Sequence, residues 1–269
     1  MTHLPETSAL LIEPENGFLR IWFNRPETRN ALNAQVVTEL SLVLDAVRDD
    51  RAVRALVLRG KGGVFCAGGD ISGFKASAQG GDAAAVARGN RAFGDLMMKL
   101  NEQPQVVVML VEGGAVGGGL GLCCVGDVVI VEKAARFQLS ETSLGIPPAQ
   151  IAPFVAERVG LTQARRLMLT GARFGGEEAV RLGIGHFIAD GADELERLGE
   201  DALAQIAKCA PSANASTKSI VFESTRRPRG ETLDFAANEF ARCLLSEEGR
   251  EGVAAFLEKR KARWVVMGE

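Results

Sequence analysis

Two glycine clusters and one carboxylate are the residues of this chain best suited to chemistry. Gly68-Gly69 forms the first cluster, the second lies between Gly113 and Gly119, and Glu141 follows as a lone carboxylate. A glycine turn between a strand and a helix leaves backbone N–H groups bare, with the helix dipole behind them. Such a turn can hold a phosphate or a developing oxyanion. Glu141 could then act as a general acid or base on the bound group.

The elements predicted around these residues are strands that end in the glycine turns. Val53–Leu58 is an apolar run that leads to the first cluster, and Val106–Val111 leads to the second. Leu120–Val125 indicates a buried helix directly after the second cluster, and Val128–Val131 predicts a further strand before Glu141. This order would direct the bare N–H groups of both turns into a cavity.

The remaining pattern predicts a strand-and-helix core followed by helices alone, which is an α/β fold with an all-helical C-terminal third. Further strands are predicted at Ala9–Glu13, Phe18–Phe23 and Gly185–Ala189. Helices are predicted at Ala34–Arg48 (capped by Asn33), Arg88–Leu100, Phe154–Val159, Leu161–Leu169, Glu177–Leu182, Leu195–Cys209, Ser212–Glu223, Leu233–Leu245 and Gly249–Arg263. Ala76–Ala87 has few large apolar residues, and we expect a mobile surface segment there.

Composition excludes several classes of function. The 269 residues carry 31 Lys plus Arg and 34 Asp plus Glu, so the net charge of −3 does not favour binding to nucleic acid or to an anionic membrane. No apolar run approaches the roughly 20 residues of a membrane-spanning helix, and MTHLPETSALL does not have the pattern of a secretion signal. The five cysteines have no framework spacing and predict free, buried thiols. We therefore expect a cytoplasmic protein.

Other sites that use the same residue types are poorly supported. Neither glycine cluster is followed by the Gly-Lys-Ser/Thr of a phosphate-binding loop, and Leu122 stands where a dinucleotide fingerprint needs its third glycine. Only two histidines are present, and His186 lies in a short strand pattern where a structural role is expected. A catalytic Ser/His/Asp triad or a histidine-rich metal site is therefore not predicted. The glycines could also serve only to let a helix pack closely on a strand.

Taken together, these motifs resemble the enoyl-CoA hydratase/isomerase (crotonase) family. The resemblance is carried by Asn24-Arg25-Pro26 with Asn30-Ala31-Leu32, Phe65-Cys66-Ala67-Gly68-Gly69-Asp70-Ile71, Gly117-Gly118-Gly119 with Asp127, Glu141-x-x-Leu144-Gly145, and Phe256-Leu257-Glu258-Lys259-Arg260-Lys261. The motifs cover most of the chain. The resemblance implies a crotonase-like spiral of ββα units over residues 1–200 and an all-helical C-terminal oligomerisation region over residues 201–269. It also implies a homotrimer or hexamer.

The same resemblance implies a role for individual residues. The N–H groups of Gly69 and Gly118 would form an oxyanion hole for the carbonyl of a CoA thioester, and loss of one such donor costs roughly 3–4 kcal/mol in studied enzymes. Glu141 would be the catalytic glutamate. Residues expected beside the CoA are Ala67, Gly68, Asp70, Ile71 and Gly117, with Phe256 and Lys259 approaching its nucleotide end, often from another subunit. Arg25 and Arg29 are early, exposed candidates for CoA phosphates, and Asp70 could instead be a helix N-cap.

No metal or cofactor is implied, since a carboxylate and two N–H groups suffice and coenzyme A belongs to the substrate. The chain departs from the family at Gly121, where typical hydratases carry a second glutamate. Glu112 is the nearest spare carboxylate, at a position that is not catalytic in relatives. A lone Glu141 could activate water for attack at C3, as in a hydratase, or move a proton from C2 to C4, as in a Δ3,Δ2-enoyl-CoA isomerase. The missing acid by itself favours the isomerase.

The passage after Glu141 favours a hydratase of one particular branch. Ile146–Gly160 reads IPPAQIAPFVAERVG and resembles methylglutaconyl-CoA hydratases and, more closely, isohexenylglutaconyl-CoA hydratases. Cys209–Lys218 also resembles the isohexenyl branch. A small residue at Gly121 would leave room for a bulky group at C3. We therefore expect hydration of a branched, 3-substituted glutaconyl-CoA in terpene or leucine breakdown. A non-catalytic or RNA-binding use of the fold is the remaining alternative, and the acidic balance argues against it.

Overall fold

The computed structural model describes residues 3–80 and 82–265, which form nine strands and ten α-helices. The strands are β1 (Leu10–Glu15), β2 (Phe18–Phe23), β3 (Ala55–Gly60), β4 (Val106–Val111), β5 (Gly114–Val116), β6 (Val128–Glu132), β7 (Arg136–Gln138), β8 (Arg173–Gly175) and β9 (Phe187–Ala189). The helices are α1 (Ala34–Val47), α2 (Ile71–Gly80), α3 (Ala83–Asn101), α4 (Gly118–Cys124), α5 (Ala152–Thr170), α6 (Gly176–Arg181), α7 (Ala192–Ile206), α8 (Pro211–Arg226), α9 (Arg229–Leu244) and α10 (Glu247–Leu257). Glu141–Leu144 is a short 3-10 helix.

The main sheet has six strands in the order β1-β2-β3-β4-β6-β9. β1 and β2 form an antiparallel hairpin, and the other neighbours pair in parallel. Because parallel strands are buried on both faces, their apolar residues run without interruption and alternate between two cores. Leu56 and Leu58 pack with α1, α3, α4 and α5 on one face, whereas Ala55 and Val57 pack with α7 on the other.

The other sheet has three short strands in the order β5-β7-β8, and the sequence did not indicate it. β5 pairs in parallel with β7, and β7 pairs antiparallel with β8. Each strand is only three residues long, so none shows the alternation from which a strand is predicted. This small sheet proves decisive for the site, because β5 leads into the second glycine turn and β7 leads toward Glu141.

Most of the predicted helices are present, and α5 contains two of them, divided at Gly160, which has φ 74° and ψ 156°. Ala76–Ala87, which we expected to be a mobile surface segment, is largely helical where it is described: its residues belong to the end of α2, the cap Asp82 and the start of α3. Its mobility stays a prediction. Asp82 caps α3 by accepting a hydrogen bond from the N–H of Ala84. Alanine-rich sequence favours helix even where, as here, the residues from Ala83 to Asn90 are exposed.

Helix α7 runs through residue 200, where the sequence suggested the start of a C-terminal region. Leu195 and Leu203 both pack against the main sheet. Arg54, just before β3, fixes the end of this helix by donating hydrogen bonds to the carbonyls of Ile206 and Ala207. We therefore propose that the separate helical region begins at α8. In the described ranges, no helix is long and apolar enough to cross a membrane.

Candidate active site

The small sheet brings Glu141 to the second glycine turn. Val116 of β5 pairs with Gln138 of β7, and the N–H of Gly117 donates to the Gln138 carbonyl at 2.8 Å. Glu141 follows three residues later, at the start of the 3-10 helix. Gly117 has φ 51°, and a Cβ at this position would lie 2.6 Å from Oε1 of Glu141. Only glycine lets the carboxylate approach the turn so closely while the backbone keeps this conformation.

The first glycine turn lies directly beside the second. The N–H of Cys66 donates to the carbonyl of Gly114 at 3.1 Å, and the N–H of Val116 donates back to the carbonyl of Cys66 at 3.0 Å. Gly68, with φ 98°, comes so near that a Cβ there would lie 3.0 Å from the Val116 carbonyl oxygen. The two clusters, which are separated by about fifty residues in the sequence, thus form one site.

Two backbone amides in this site are free to bind a ligand. In the parts of the chain that the structure describes, the N–H groups of Gly69 and Gly118 donate no hydrogen bond, and both glycines are only partly buried. Gly118 is the first residue of α4, so its amide has the helix dipole behind it. A Cβ on Gly118 would lie 2.9 Å from Leu32 and 3.2 Å from Phe93, which places apolar side chains around this amide. The arrangement suits a carbonyl oxygen that gains negative charge.

Glu141 has the environment of a general base. Its Oε2 is buried and has no hydrogen-bond partner in the described chain. Burial raises the pKa of the Glu141 carboxyl, because the charged form loses hydration without gaining a compensating cation. The 3-10 helix that carries it is held by Thr142, whose hydroxyl donates to the Met168 carbonyl on α5 at 2.9 Å. A carboxylate with a buried oxygen that lacks a partner and a raised pKa is typical of functional sites, so Glu141 is the candidate acid–base group here.

The space beside Gly121 is not open, which corrects the argument that a small residue there leaves room for a bulky substrate. A Cβ on Gly121 would overlap Cγ2 of Ile151 and would lie 2.8 Å from its Cβ. Ile151 is 2% exposed, and Met97 closes the same space from α3. The passage after Glu141 therefore fills the place where a second carboxylate would project, and the site has an apolar floor.

Of the residues expected beside the CoA, some lie at the first glycine turn or are exposed, whereas Arg25 is engaged in contacts within the chain. Ala67 and Gly68 lie in the first turn, next to Gly69, and Ile71 is exposed at the start of α2. Arg29 is exposed, but Arg25 is not: its guanidinium bonds to Asp70 and to the Ala31 carbonyl, so the expectation of an exposed Arg25 was wrong.

Asp70 is an N-cap, as one of its two interpretations predicted. Its Oδ1 accepts hydrogen bonds from the N–H and the hydroxyl of Ser72 at 3.1 and 2.6 Å. Its Oδ2 faces Arg25 at 3.2 Å. The Ser72 hydrogen bond, with help from Arg25, lowers the pKa of the Asp70 carboxyl. Both oxygens are thus engaged within the chain.

Phe256 and Lys259 are not brought to the glycine turns of their own chain. Phe256 is exposed in the last turn of α10 and Lys259 follows the helix, and the Trp264 carbonyl just beyond them accepts a hydrogen bond from Arg54. Arg54 precedes β3, whereas the first glycine turn follows β3, so the two lie at opposite edges of the sheet. A contact of Phe256 and Lys259 with CoA stays a prediction that requires a second copy of the chain.

Two residues that the sequence set aside have structural roles. Glu112 pairs with Arg59 at 2.8 Å. His186 accepts a hydrogen bond at Nδ1 from the N–H of Val129, and burial lowers the pKa of its imidazole.

Among the cysteines, all free, Cys66, Cys123 and Cys124 are buried as expected, while Cys209 is exposed. In the described residues, no group of three His, Cys, Asp or Glu side chains is placed to hold a metal ion.

Three further residues lie against the glycines of the site and were not predicted as site residues from the sequence: Leu32, Phe93 and Ile151. Phe93 shares a helical face with Leu96, Met97 and Leu100, a signal that predicts burial but does not say against which element. Nothing in the sequence links Ile151 to Gly121, which lies thirty residues earlier.

The chain is similar over most of its length to known proteins of one family. The profile of the enoyl-CoA hydratase/isomerase family matches residues 13–266. Among solved structures, Pseudomonas aeruginosa AtuE superposes with a TM-score of 0.94 at 54% identity, covering 96% of this chain and 100% of that one. An enoyl-CoA hydratase/isomerase from Marinobacter aquaeolei superposes with a TM-score of 0.92 at 42% identity, covering 96% and 99%. The short-chain-enoyl-CoA hydratase of Clostridium acetobutylicum is 30% identical over 258 residues, 95% of this chain and 97% of the relative. The chain belongs to the enoyl-CoA hydratase/isomerase family.

Proposed function

We propose that this protein is a hydro-lyase that adds water to the double bond of an enoyl-CoA thioester, with Glu141 as its single acid–base group. The observation that carries the proposal is the unpaired Oε2 of Glu141, buried beside a turn that leaves the Gly118 amide free. A buried carboxylate without a cation has a raised pKa and is a competent proton acceptor. The family profile and the hydratase relatives support the same reaction class.

In the proposed reaction, the thioester oxygen accepts hydrogen bonds from the N–H groups of Gly69 and Gly118. The Glu141 carboxylate takes a proton from a water molecule, whose oxygen forms a bond to C3. The electron pair of the double bond moves toward the thioester oxygen and gives an enolate, which the two amides stabilise as its charge develops. Glu141 then returns its proton to C2, so one carboxylate completes the addition and ends in its starting state.

For the substrate we propose a branched, 3-substituted glutaconyl-CoA, with isohexenylglutaconyl-CoA of acyclic terpene breakdown as the first candidate. The support is the resemblance of Ile146–Gly160 to the branch that acts on such esters. Leu32 and Phe93 next to Gly118 suit an apolar branch. Gln150 connects this passage to α3 by donating a hydrogen bond to Asn90 at 2.8 Å, and Ile151 and Met97, near the start of α5 and on α3, meet at Gly121.

The alternative is a Δ3,Δ2-enoyl-CoA isomerase. The observation in its favour is the apolar contact of Ile151 and Met97 at Gly121, since that floor excludes a second carboxylate from this position. One carboxylate that takes a proton from C2 and returns it to C4 would be sufficient for isomerisation.

A substrate panel tests the function. Initial rates would be measured side by side on crotonyl-, 3-methylglutaconyl- and isohexenylglutaconyl-CoA in water enriched in oxygen-18. We expect the highest kcat/KM on isohexenylglutaconyl-CoA and one labelled oxygen per product. A preference for crotonyl-CoA would overturn the substrate assignment. Conversion of a 3-enoyl-CoA into its conjugated isomer, without any labelled product from 2-enoyl esters, would establish the isomerase instead.

We also propose that the protein assembles as a homotrimer or a pair of trimers. Large apolar side chains are exposed on the C-terminal helices, among them Phe240 and Leu257 at 67% and 73%. Exposed apolar patches of this kind mark interaction surfaces. In a trimer, the end of α10 could reach the site of a neighbouring copy, which is where the resemblance expects Phe256 and Lys259.

A further inference from the structure

The direction of the Gly69 amide is set from outside its own turn. The N–H of Leu32 donates to the carbonyl of Gly68 at 2.7 Å, and the N–H of Asp70 donates to the carbonyl of Leu32 at 2.9 Å. Gly69 is therefore bracketed by two hydrogen bonds to the same residue. The N–H of Ala67 donates in turn to the Arg29 carbonyl at 3.0 Å. The segment from Arg29 to Leu32 consequently decides where the Gly69 N–H points.

That segment is itself held by a buried side chain. Asn30 is 1% exposed and has φ 58°. Its Oδ1 accepts a hydrogen bond from the N–H of Arg25 at 2.9 Å, and its Nδ2 donates to the carbonyls of Lys61 and Val64 at 2.9 and 2.7 Å. The segment is thereby fixed to the chain on the near side of the first glycine turn. Asn30 cannot by itself fix the far side, which begins at Asp70.

The ion pair of Arg25 and Asp70 closes the far side. Nη1 of Arg25 donates to the Ala31 carbonyl at 2.6 Å, and Nη2 lies 3.2 Å from Oδ2 of Asp70. Only 18% of the Arg25 side chain and 20% of the Asp70 side chain are exposed, so water replaces this contact poorly. The guanidinium thus joins the segment that brackets Gly69 to the residue that follows Gly69.

We propose that the Arg25–Asp70 ion pair is a positioning device for the Gly69 amide, which sets the catalytic rate without touching the substrate. The inference rests on the proposed function, since it concerns one donor of the proposed oxyanion hole. Hydrogen-bond donors are effective only about 2.7–3.1 Å from the position of the oxyanion, and a displacement of about 1 Å can cost roughly 100-fold in rate. Gly68, in a conformation that few other residues adopt, gives the turn little stiffness of its own.

Asp70→Asn and Arg25→Gln test the proposal. Asparagine caps a helix as well as aspartate does, so Asp70→Asn removes the ion pair and leaves the start of α2 intact. We expect kcat to fall about 10- to 100-fold in each variant with less than about a threefold change in KM, and the double variant to be no worse than either single one. Arg25→Lys should recover part of the rate, because it keeps the charge but not the planar fork.

Asp127→Asn is the matched control. Asp127 is 27% exposed and pairs with Lys218 at 2.5 Å, near the beginning of β4 at the opposite edge of the sheet. Asp127→Asn should lower the melting temperature about as much as Asp70→Asn does, while its kcat stays at the parent value. A fall of kcat in Asp127→Asn as large as in Asp70→Asn would reduce the Arg25–Asp70 effect to general destabilisation and overturn the proposal.

Ligand binding gives a readout that does not depend on turnover. Acetoacetyl-CoA can bind as an enolate with charge on the thioester oxygen, whereas butyryl-CoA has an uncharged carbonyl. Asp70→Asn should weaken acetoacetyl-CoA binding about 10-fold or more and leave butyryl-CoA binding within about twofold. Equal affinity of variant and parent for acetoacetyl-CoA would overturn the inference. Absence of turnover on every enoyl-CoA would overturn the proposed function alone, because these titrations would still decide the inference.

Discussion

At the scale of single residues, the Glu141 carboxylate has surroundings that suit proton transfer. Glu112 directly precedes the second glycine cluster, yet it pairs with Arg59, whereas Oε2 of Glu141 has no partner in the described structure. The two residue types are the same, and only their surroundings distinguish them. The sequence could nominate both carboxylates, but the choice between them depended on a family resemblance until the contacts were known.

The raised pKa of Glu141 predicts the acid limb of the pH profile. A base must be ionised before it can accept a proton, so kcat/KM should fall as the pH drops through the Glu141 pKa. We expect this limb above the range of an ordinary glutamate when rates are measured between about pH 4 and pH 8. Glu112→Gln should leave the limb in place. A midpoint at or below the ordinary glutamate value would contradict the assignment.

The same burial predicts that the ionised Glu141 carboxylate destabilises the folded protein. Because the folded-state pKa of Glu141 is raised, the unfolded chain loses this proton at lower pH than the folded chain. The ionised group therefore costs stability at neutral pH, and this cost disappears below the pKa of the unfolded state. Glu141→Gln should raise the melting temperature near pH 7 and have little effect near about pH 4.

Glu112→Gln is the comparison for this measurement, since it breaks an ion pair whose two side chains are 12% and 10% exposed and should lower the melting temperature at pH 7. A lower melting temperature of Glu141→Gln at pH 7 would contradict the interpretation of Oε2 as an unpaired buried oxygen.

At the scale of elements, the three-residue strands of the small sheet bring Glu141 to the second glycine turn more directly than the long strands of the main sheet do. The sequence predicted most strands of the main sheet because their apolar runs are five or six residues long. It did not predict β5, β7 and β8, whose pairing joins segments about twenty to forty residues apart. Short strands have no period of their own, and their pairing depends on contacts distant in sequence. The approach of Glu141 to Gly117 could for this reason not be derived from the pattern.

The start of α5 against α4 is the second contact that the sequence could not provide. Gly121 tolerates no Cβ because Ile151 occupies the space, so Gly121→Ala should destabilise the protein by about 1–3 kcal/mol. Ile151→Ala removes the overlapping methyl group, so the double variant should lose less stability than the sum of the two single variants, by about 0.5 kcal/mol or more. Chemical denaturation of the four proteins measures this coupling. Strict additivity would show that the two residues do not share the space.

At the scale of the whole molecule, the two edges of the main sheet have different tasks. The glycine turns follow β3 and β4, at the edge where these parallel strands end. At the other edge, Arg54 holds the end of α7 and the segment beyond α10 through main-chain carbonyls. The candidate site and the attachment of the C-terminal segment therefore lie at opposite edges of the sheet, an arrangement that is compatible with the proposed contacts between copies.

Lys259 tests the proposed contact between copies. Lys259→Ala should raise the KM for a CoA ester about three- to tenfold, because an exposed cation near the CoA phosphates contributes about 1 kcal/mol. The KM for the matching pantetheine thioester, which has no nucleotide, should not change. Lys261→Ala, two residues further along the chain, is the control for loss of charge alone. Equal effects on both esters, or a monomer in sedimentation analysis, would remove Lys259 from the proposed site.

The most direct test of the account is the turnover of Glu141→Gln. Glutamine keeps the shape of the side chain and cannot accept the proton, so kcat for hydration should fall by at least about 100- to 10,000-fold. Titration with butyryl-CoA should show that ester binding survives within about threefold, because the amides of Gly69 and Gly118 are untouched. Retention of more than about a tenth of the parent kcat would contradict the central claim that Glu141 is the acid–base group of this enzyme.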